Sequence, residues 1–384
     1  MKIISVVGAR PNFMKIAPFI RAVGKYNSDN RSDAIEHLLV HTGQHYDDNM
    51  SDYFFKDLEI PEPCYNLEVG SGSHAEQVGN TMIKFERVIE KEKPDWVVVV
   101  GDVNATLACS VTAKKEQIKC CHIEAGLRSG DMTMPEEINR IVTDRLCDLL
   151  LTPDVFSTEN LRKEGTPENR IRFAGNIMAD TLDFNLSKAS QLNLETIIND
   201  NLLFPGHEYR RQLLAGNYAV VTLHRPSNVD RKEVLSSLVQ LISGEIARVI
   251  PVLWPVHPRT YKQLELAGLL EMLAGNQNIM LLKPLGYNEM LKLNLDSKIM
   301  LTDSGGLQEE CTMIGTPCLT LRSTTERPIT LRENGGTCVL TGNDIEVIRS
   351  EFFNSLSEGK KPFRPELWDG NTADRCLRAI IEVG

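Results

Sequence analysis

The sequence lacks a long apolar run. In the middle of the chain the longest purely apolar stretch is Trp96–Val100, far short of the roughly 20 residues that cross a bilayer, so no membrane partner is expected. The first seven residues, Met1-Lys2-Ile3-Ile4-Ser5-Val6-Val7, carry one charge and run straight into Gly8, Arg10 and Pro11. They fall short of the apolar core of about 7–15 residues in a secretory signal and read as a first strand. CxxC pairs are also missing: nine cysteines are scattered through a chain too large to need staples, the usage of a reduced, cytoplasmic protein. Cys120-Cys121-His122 is the one tempting metal cluster. Successive strand residues point to opposite faces, so the three cannot converge on one ion, and no metal is expected. Positive charge is short as well: 42 Lys and Arg against 52 Asp and Glu leave a net charge of -10. That argues against nucleic acid as a partner but leaves room for a small anion at a local site.

What is present is an ordinary packed composition, 42% hydrophobic and 24% charged over 384 residues, enough for two domains at about 150 residues each. Short β-rich runs alternate with helical patterns, the mark of α/β architecture with parallel sheets covered on both faces. Strands are expected at 3–7, 37–41, 96–100, 119–123 and 149–151, then at 218–223, 249–254, 278–282, 298–301 and 316–320. Amphipathic stretches at 14–26 and 75–91 read as helices. The fold class is therefore two Rossmann-like doubly wound domains, divided at about 172: residues 1–172, then 173–365, with a last helix at 366–384 returning to the first. A long polar helical stretch is expected over about 177–215.

Open parallel sheets bind ligands beyond the carboxyl ends of their strands, where loops and helix N-termini gather. The polar motifs fall there. Ser304-Gly305-Gly306 follows an apolar strand and opens a helix, a place where backbone N–H groups suit a diphosphate; the alternative is a tight strand-to-helix turn with no ligand. Glu310, further along that helix, could reach a ribose hydroxyl pair or face solvent. Basic residues near strand ends are Arg10, Lys15, Arg140, Arg225 and Arg327, each by itself as well explained by surface pairing. Asp102, one glycine after four valines, and Glu124 sit at buried strand edges where desolvation disfavours an ionised acid. Glu136 follows Pro135 at a helix start, on the face expected to carry Arg140 four residues on. Capping and ion pairing are the alternatives for these acids. His224 ends a strand and could donate to a ligand; His257 reads as structural. Gly70-Ser71-Gly72-Ser73-His74-Ala75 loosely fits a dinucleotide fingerprint, but Ser73-His74-Ala75-Glu76 is better read as a capping box, and no nicotinamide is expected.

Gly8-Ala9-Arg10-Pro11 with Lys15, Gly101-Asp102, His122-Ile123-Glu124-Ala125-Gly126-Leu127-Arg128, Pro135-Glu136-Glu137 with Asn139-Arg140, His224-Arg225, Thr302-Asp303-Ser304-Gly305-Gly306 with Gln308-Glu309-Glu310, and Thr325-Glu326-Arg327-Pro328 occur in this order. Together they resemble the non-hydrolysing UDP-N-acetylglucosamine 2-epimerase family, over about residues 3 to 330. The resemblance implies a GT-B fold with the active site in the interdomain cleft, a homodimer, and a UDP-sugar substrate handled without a cofactor. It implies elimination of UDP to 2-acetamidoglucal and re-addition with a proton on the other face of carbon 2. Asp102, Glu124, Glu136 and His224 are then the catalytic candidates. Arg10, Lys15, Arg140, Ser304, Gly305, Gly306, Glu310 and Arg327 would line the substrate. Regulated bacterial members carry Gln-His-Arg after the second strand, where this chain has Gln44 and His45 followed by Tyr46, Asp47 and Asp48, so an allosteric UDP-sugar is not carried over. Val103-Asn104 and Pro226-Ser227 replace the family's usual neighbours of Asp102 and His224. This keeps a 2,3-diacetamido uronic acid substrate and a hydrolysing outcome open as alternatives. A GT-B glycosyltransferase and a nucleotide-sugar sensor are remoter ones.

Overall fold

All five residues of Trp96–Val100 are buried, as an unbroken apolar run must be when both faces of its sheet are covered. The strand belongs to the first of two units into which the computed structural model divides: Met1–Phe184 with Pro365–Gly384, and Asn185–Arg364. The structure describes residues 1–43, 58–204 and 216–384. Gln44, His45, Tyr46, Asp47 and Asp48 lie outside the described residues, as does the 205–215 part of the expected helical stretch.

In the first unit β1 (Lys2–Val7), β2 (Glu36–His41), β3 (Tyr65–Asn66), β4 (Trp96–Val100), β5 (Lys119–Ile123), β6 (Leu149–Thr152) and β7 (Ile171–Phe173) form one sheet. Its order is β3-β2-β1-β4-β5-β6-β7, every pair parallel. The longer helices are α1 (Arg10–Asp29), α2 (His74–Glu92), α3 (Asn104–Lys115), α4 (Pro135–Leu146) and α5 (Val155–Lys163); α6 (Ile177–Gln191) starts in this unit and runs on past Phe184 into the second. The second unit holds β8 (Ala219–Thr222), β9 (Val252–Pro255), β10 (Ile279–Leu282), β11 (Ile299–Thr302), β12 (Cys318–Thr320) and β13 (Cys338–Leu340). They are ordered β10-β9-β8-β11-β12-β13, again all parallel. Its longer helices are α7 (Leu194–Asn201), α8 (Lys232–Leu241), α9 (Pro258–Leu266), α10 (Tyr287–Asp296), α11 (Gly305–Ile314) and α12 (Ile345–Leu356). Each unit is thus a doubly wound α/β sheet whose chain direction reverses once, between β1 and β4 and between β8 and β11. The rule for such sheets places a ligand at the carboxyl ends beside that reversal.

Local chemistry explains where elements start. Ser73 and Glu76 form the expected capping box of α2, the Ser73 N–H donating to Glu76 Oε2 at 2.9 Å. Asn193 caps α7, so the helical stretch from 177 breaks there. The strand expected from 249 begins only at Val252, because 249 ends a helical turn and Pro251 has no N–H for the ladder. Pro317 likewise delays β12 to Cys318. The edge strands β3, β7 and β13, two or three residues each, are too short to show a period and were not expected.

The last helix, α13 (Thr372–Val383), packs on α1 within the first unit. Buried Asp180 caps it, accepting from the N–H groups of Thr372 at 3.1 Å and Ala373 at 2.8 Å. Trp368 Nε1 donates to Pro153 O at 2.9 Å.

Candidate active site

In the first unit the reversal is bridged by Asn12, in the first turn of α1. Its Oδ1 accepts the N–H groups of Gly8 at 3.0 Å and Ala9 at 3.2 Å, and its Nδ2 donates across to Val100 O at 2.8 Å. One side chain therefore ties the end of β1 to the end of β4. Lys15, nearly one turn further and buried, forms an ion pair with Glu124 Oε2. Glu124 has a left-handed backbone, φ 74°, uncommon for a glutamate. Its N–H and that of Ala125 both reach Leu151 O, at 3.1 and 3.0 Å.

Gly101 lies between these groups and Asp102. At φ +67° it adopts a conformation that favours glycine, and a Cβ there would meet Lys15 Nζ at 3.2 Å and Glu124 Oε2 at 3.3 Å. Asp102 is the more open acid, its side chain 24% exposed, and its Oδ2 lies 2.5 Å from Arg140 Nη1. Asn139 Nδ2 holds the Asp102 carbonyl at 2.8 Å. Lys15, Asp102, Glu124 and Arg140 are thus brought together, each acid opposite one buried cation.

Glu136 is half-buried on α4 and makes no hydrogen bond or ion pair among the described residues. Four residues apart on α4, Glu136 and Arg140 lie on neighbouring positions of one helix face, but the bonding partner of the guanidinium on this helix is Glu137. Arg140 pairs with Glu137 through Nε at 2.9 Å and Nη2 at 2.5 Å. Burial opposes the charge of Glu137, but the N–H of Ser129 and the Arg140 guanidinium outweigh it and hold its carboxyl below the ordinary range. Arg10 opens α1; its side chain lies outside what is described.

In the second unit the reversal is marked by Asp303, fully buried at the end of β11. It accepts the N–H groups of His224 at 3.0 Å and Arg225 at 2.9 Å and the Asn228 amide at 3.0 Å, and its Oδ1 lies 2.8 Å from His224 Nδ1. Burial opposes ionisation of Asp303, yet the His224 ring, the Arg225 N–H and Asn228 together keep its carboxyl below the usual carboxylate range. With Nδ1 committed to Asp303, His224 presents Nε2, and its side chain is 36% exposed. His257, expected to be structural, caps α9 by accepting the Arg259 N–H at 3.1 Å.

Ser304 is the N-cap of α11 and Gly305 and Gly306 form its first turn, the helix start at which an anion is expected; the Ser304 N–H donates to Thr302 Oγ1 at 3.0 Å. A Cβ on Gly305 would lie 2.5 Å from Arg327 Nη1, so the guanidinium lies against this helix end. It is held there by Glu326 and, through Nε at 2.9 Å, by Glu309; Arg322 completes the buried network at 2.6 Å from Glu326. Glu310 is buried in the second turn of α11. Arg225 Nε is buried with no partner among the described residues.

Sequence reasoning had given no role to Asn12, Glu137, Asp303 or Glu326. Asp303 and Glu326 stand inside quoted motifs, and Asn12 follows an N-terminal proline by one residue, a spacing that signals a helix-start cap. Glu137 gave no signal that separated it from Glu136.

Residues 28–381 match the family described as UDP-N-acetylglucosamine 2-epimerase. The UDP-N-acetylglucosamine 2-epimerase of Methanocaldococcus jannaschii is 39% identical over 384 residues, covering 99% of each chain. The UDP-2,3-diacetamido-2,3-dideoxy-D-glucuronate 2-epimerase of Pseudomonas aeruginosa is 38% identical over 329 residues, 85% of this chain and 84% of that one. The crystal structure of the Methanocaldococcus jannaschii enzyme in complex with UDP-GlcNAc and UDP shares the fold at a TM-score of 0.88, covering 100% of both chains at 39% identity.

Proposed function

The chain belongs to the UDP-N-acetylglucosamine 2-epimerase family, and on that premise we infer that it interconverts UDP-N-acetylglucosamine and UDP-N-acetylmannosamine. The observation that carries the reading is the pairing of acids with cations about Gly101: Asp102 with Arg140 and Glu124 with Lys15. Carbon 2 of the sugar carries no adjacent carbonyl to acidify it, so direct deprotonation is a poor route. Expulsion of UDP from carbon 1, with a proton lost from carbon 2 to give 2-acetamidoglucal, puts the main demand on the leaving diphosphate. Gly305, Gly306 and Arg327, with His224 Nε2, supply donors of the kind that diphosphate requires, and Glu310 is the ribose candidate. Asp102, Glu124 and Glu136 are the candidates for proton removal, proton return and stabilisation of the cationic character at carbon 1. Arg10, Lys15 and Arg140 complete the charged lining.

Incubation with UDP-N-acetylglucosamine in deuterated water tests this. Deuterium at carbon 2 of an intact UDP-sugar, with UDP-N-acetylmannosamine appearing, is the expected result; release of free sugar identifies a hydrolase. No incorporation starting from either sugar overturns the reading. The homodimer and the cytoplasmic location rest on family membership, and light scattering in solution tests the first. Among the described residues no helix is long and apolar enough to cross a membrane.

A further inference from the structure

His122, on β5, is fully buried, and both of its ring nitrogens are engaged. Nδ1 lies 2.6 Å from Asp144 Oδ1 and Nε2 lies 2.8 Å from Gly101 O. A carbonyl oxygen can only accept. Asp144 is acting as an acceptor as well, because its Oδ2 takes the Gly126 N–H at 3.0 Å and Arg128 Nη1 at 2.7 Å. Burial opposes a charge on Asp144, but the His122 ring and Arg128 outweigh it and hold its carboxyl below the ordinary range. The His122 ring satisfies both neighbours only with a hydrogen on each nitrogen, as an imidazolium with Asp144 as its counterion.

The two atoms that this pair fixes are informative. Gly101 O is the carbonyl directly before Asp102, and the Gly101 N–H is bound to Ile123 O at 3.2 Å, so both groups of that peptide turn are tied to β5. Gly126 and Arg128 belong to the loop that follows Glu124. One carboxylate on α4, the helix that also carries Glu136 and Arg140, thus sets the position of the turn bearing Asp102 and of the loop bearing Glu124. Neither His122 nor Asp144 can touch a ligand, their side chains being 0% and 2% exposed.

We propose that His122 and Asp144 are a positioning pair for the epimerase reaction, aligning Asp102 and Glu124 without contacting the substrate. The proposal rests on the function inferred above. A pair that served stability alone would lower the melting temperature and leave the turnover of folded enzyme intact. A positioning pair lowers kcat, while the UDP site in the other unit keeps its affinity.

Two variants separate these cases. Asp144→Asn leaves a ring that can still donate Nε2–H to Gly101 O while accepting from the amide; His122→Phe fills the ring's volume and removes the link. In folded protein the expected kcat falls about 10-fold for Asp144→Asn and about 100-fold or more for His122→Phe, with KM and UDP affinity within about threefold of the parent. Asp144→Asn decides the matter if His122→Phe does not fold. Wild-type kcat in Asp144→Asn, or in folded His122→Phe, overturns the proposal, and so does a loss of UDP affinity parallel to the loss of kcat. Selective nitrogen-15 labelling of histidine gives an independent check: His122 is expected to show two ring N–H signals, and one signal contradicts the assignment. A parent enzyme that incorporates no deuterium defeats the epimerase reading itself, whereas an active parent with an active, folded His122→Phe defeats only the positioning role.

Discussion

Arg140 donates to Asp102 Oδ2 from Nη1 while its Nε and Nη2 both reach Glu137 Oε2, so one buried guanidinium spans two carboxylates of different exposure. Glu137 is sealed and also accepts the N–H groups of Ser129 and Gly130; Asp102 is the end open to a ligand. Asp102→Asn is expected to abolish turnover while UDP still binds, and near-normal turnover would remove Asp102 from the mechanism. Glu137→Gln, which loosens Arg140 from behind, is expected to lower kcat by about 10- to 100-fold. Steady-state kinetics with UDP titration calorimetry measures both, and unchanged kcat in Glu137→Gln would show that Arg140 needs no such support.

Asp303 gathers four donors at the reversal of the second sheet: two backbone N–H groups, the Asn228 amide and the His224 ring. An asparagine has one acceptor oxygen in place of two, so Asp303→Asn must leave buried donors facing an NH2 group. Destabilisation of about 2–4 kcal/mol is expected, together with a roughly tenfold or larger loss of UDP affinity as His224 loses its fixed orientation. Thermal melts and UDP titration read the two effects separately. Full UDP affinity in the folded variant would detach Asp303 from the ligand site.

His37 gives the protein an acid sensitivity unrelated to the site. It lies in β2 with Nε2 at 2.9 Å from Ser5 Oγ and the Phe19 ring beside it, and burial lowers its pKa from 6.5 to about 4. The unfolded chain takes up this proton near pH 6.5 and the folded chain only near pH 4, so in that window the unfolded state binds more protons. Stability is therefore expected to fall as the pH drops from about 6.5 to 4, by at most about 3 kcal/mol from this group. His37→Gln should flatten that part of the profile in melts taken from pH 4 to 7; an unchanged slope would assign the acid loss to other groups.

Much of the architecture was legible because its markers are local. Four valines running into Gly101-Asp102, and an apolar strand running into Ser304-Gly305-Gly306, identify a strand and its carboxyl end without knowledge of neighbours. The rotation of α4 was not legible for the opposite reason. Ile138 is 44% exposed there, while Glu137, Asn139 and Arg140 are buried, so the helix turns its polar residues inward and its isoleucine outward. Hydrophobic periodicity points the wrong way in such a helix, and Glu136 and Glu137 both lie within about one turn of Arg140, so spacing alone does not say which of them the guanidinium bonds. His122 was hidden differently. On a buried strand it reads as one more core residue, and its partner Asp144 lies 22 residues on, with no spacing rule to join them.

The docking of α13 on α1, with Asp180 capping it across 192 residues, bears on the order of synthesis. All of 185–364 leaves the ribosome before the segment that completes the first unit, so the second unit can close while the first still exposes the face of α1 that α13 will cover. The half of the protein that is begun first is finished last, and the last helix is where its assembly is most open to interruption.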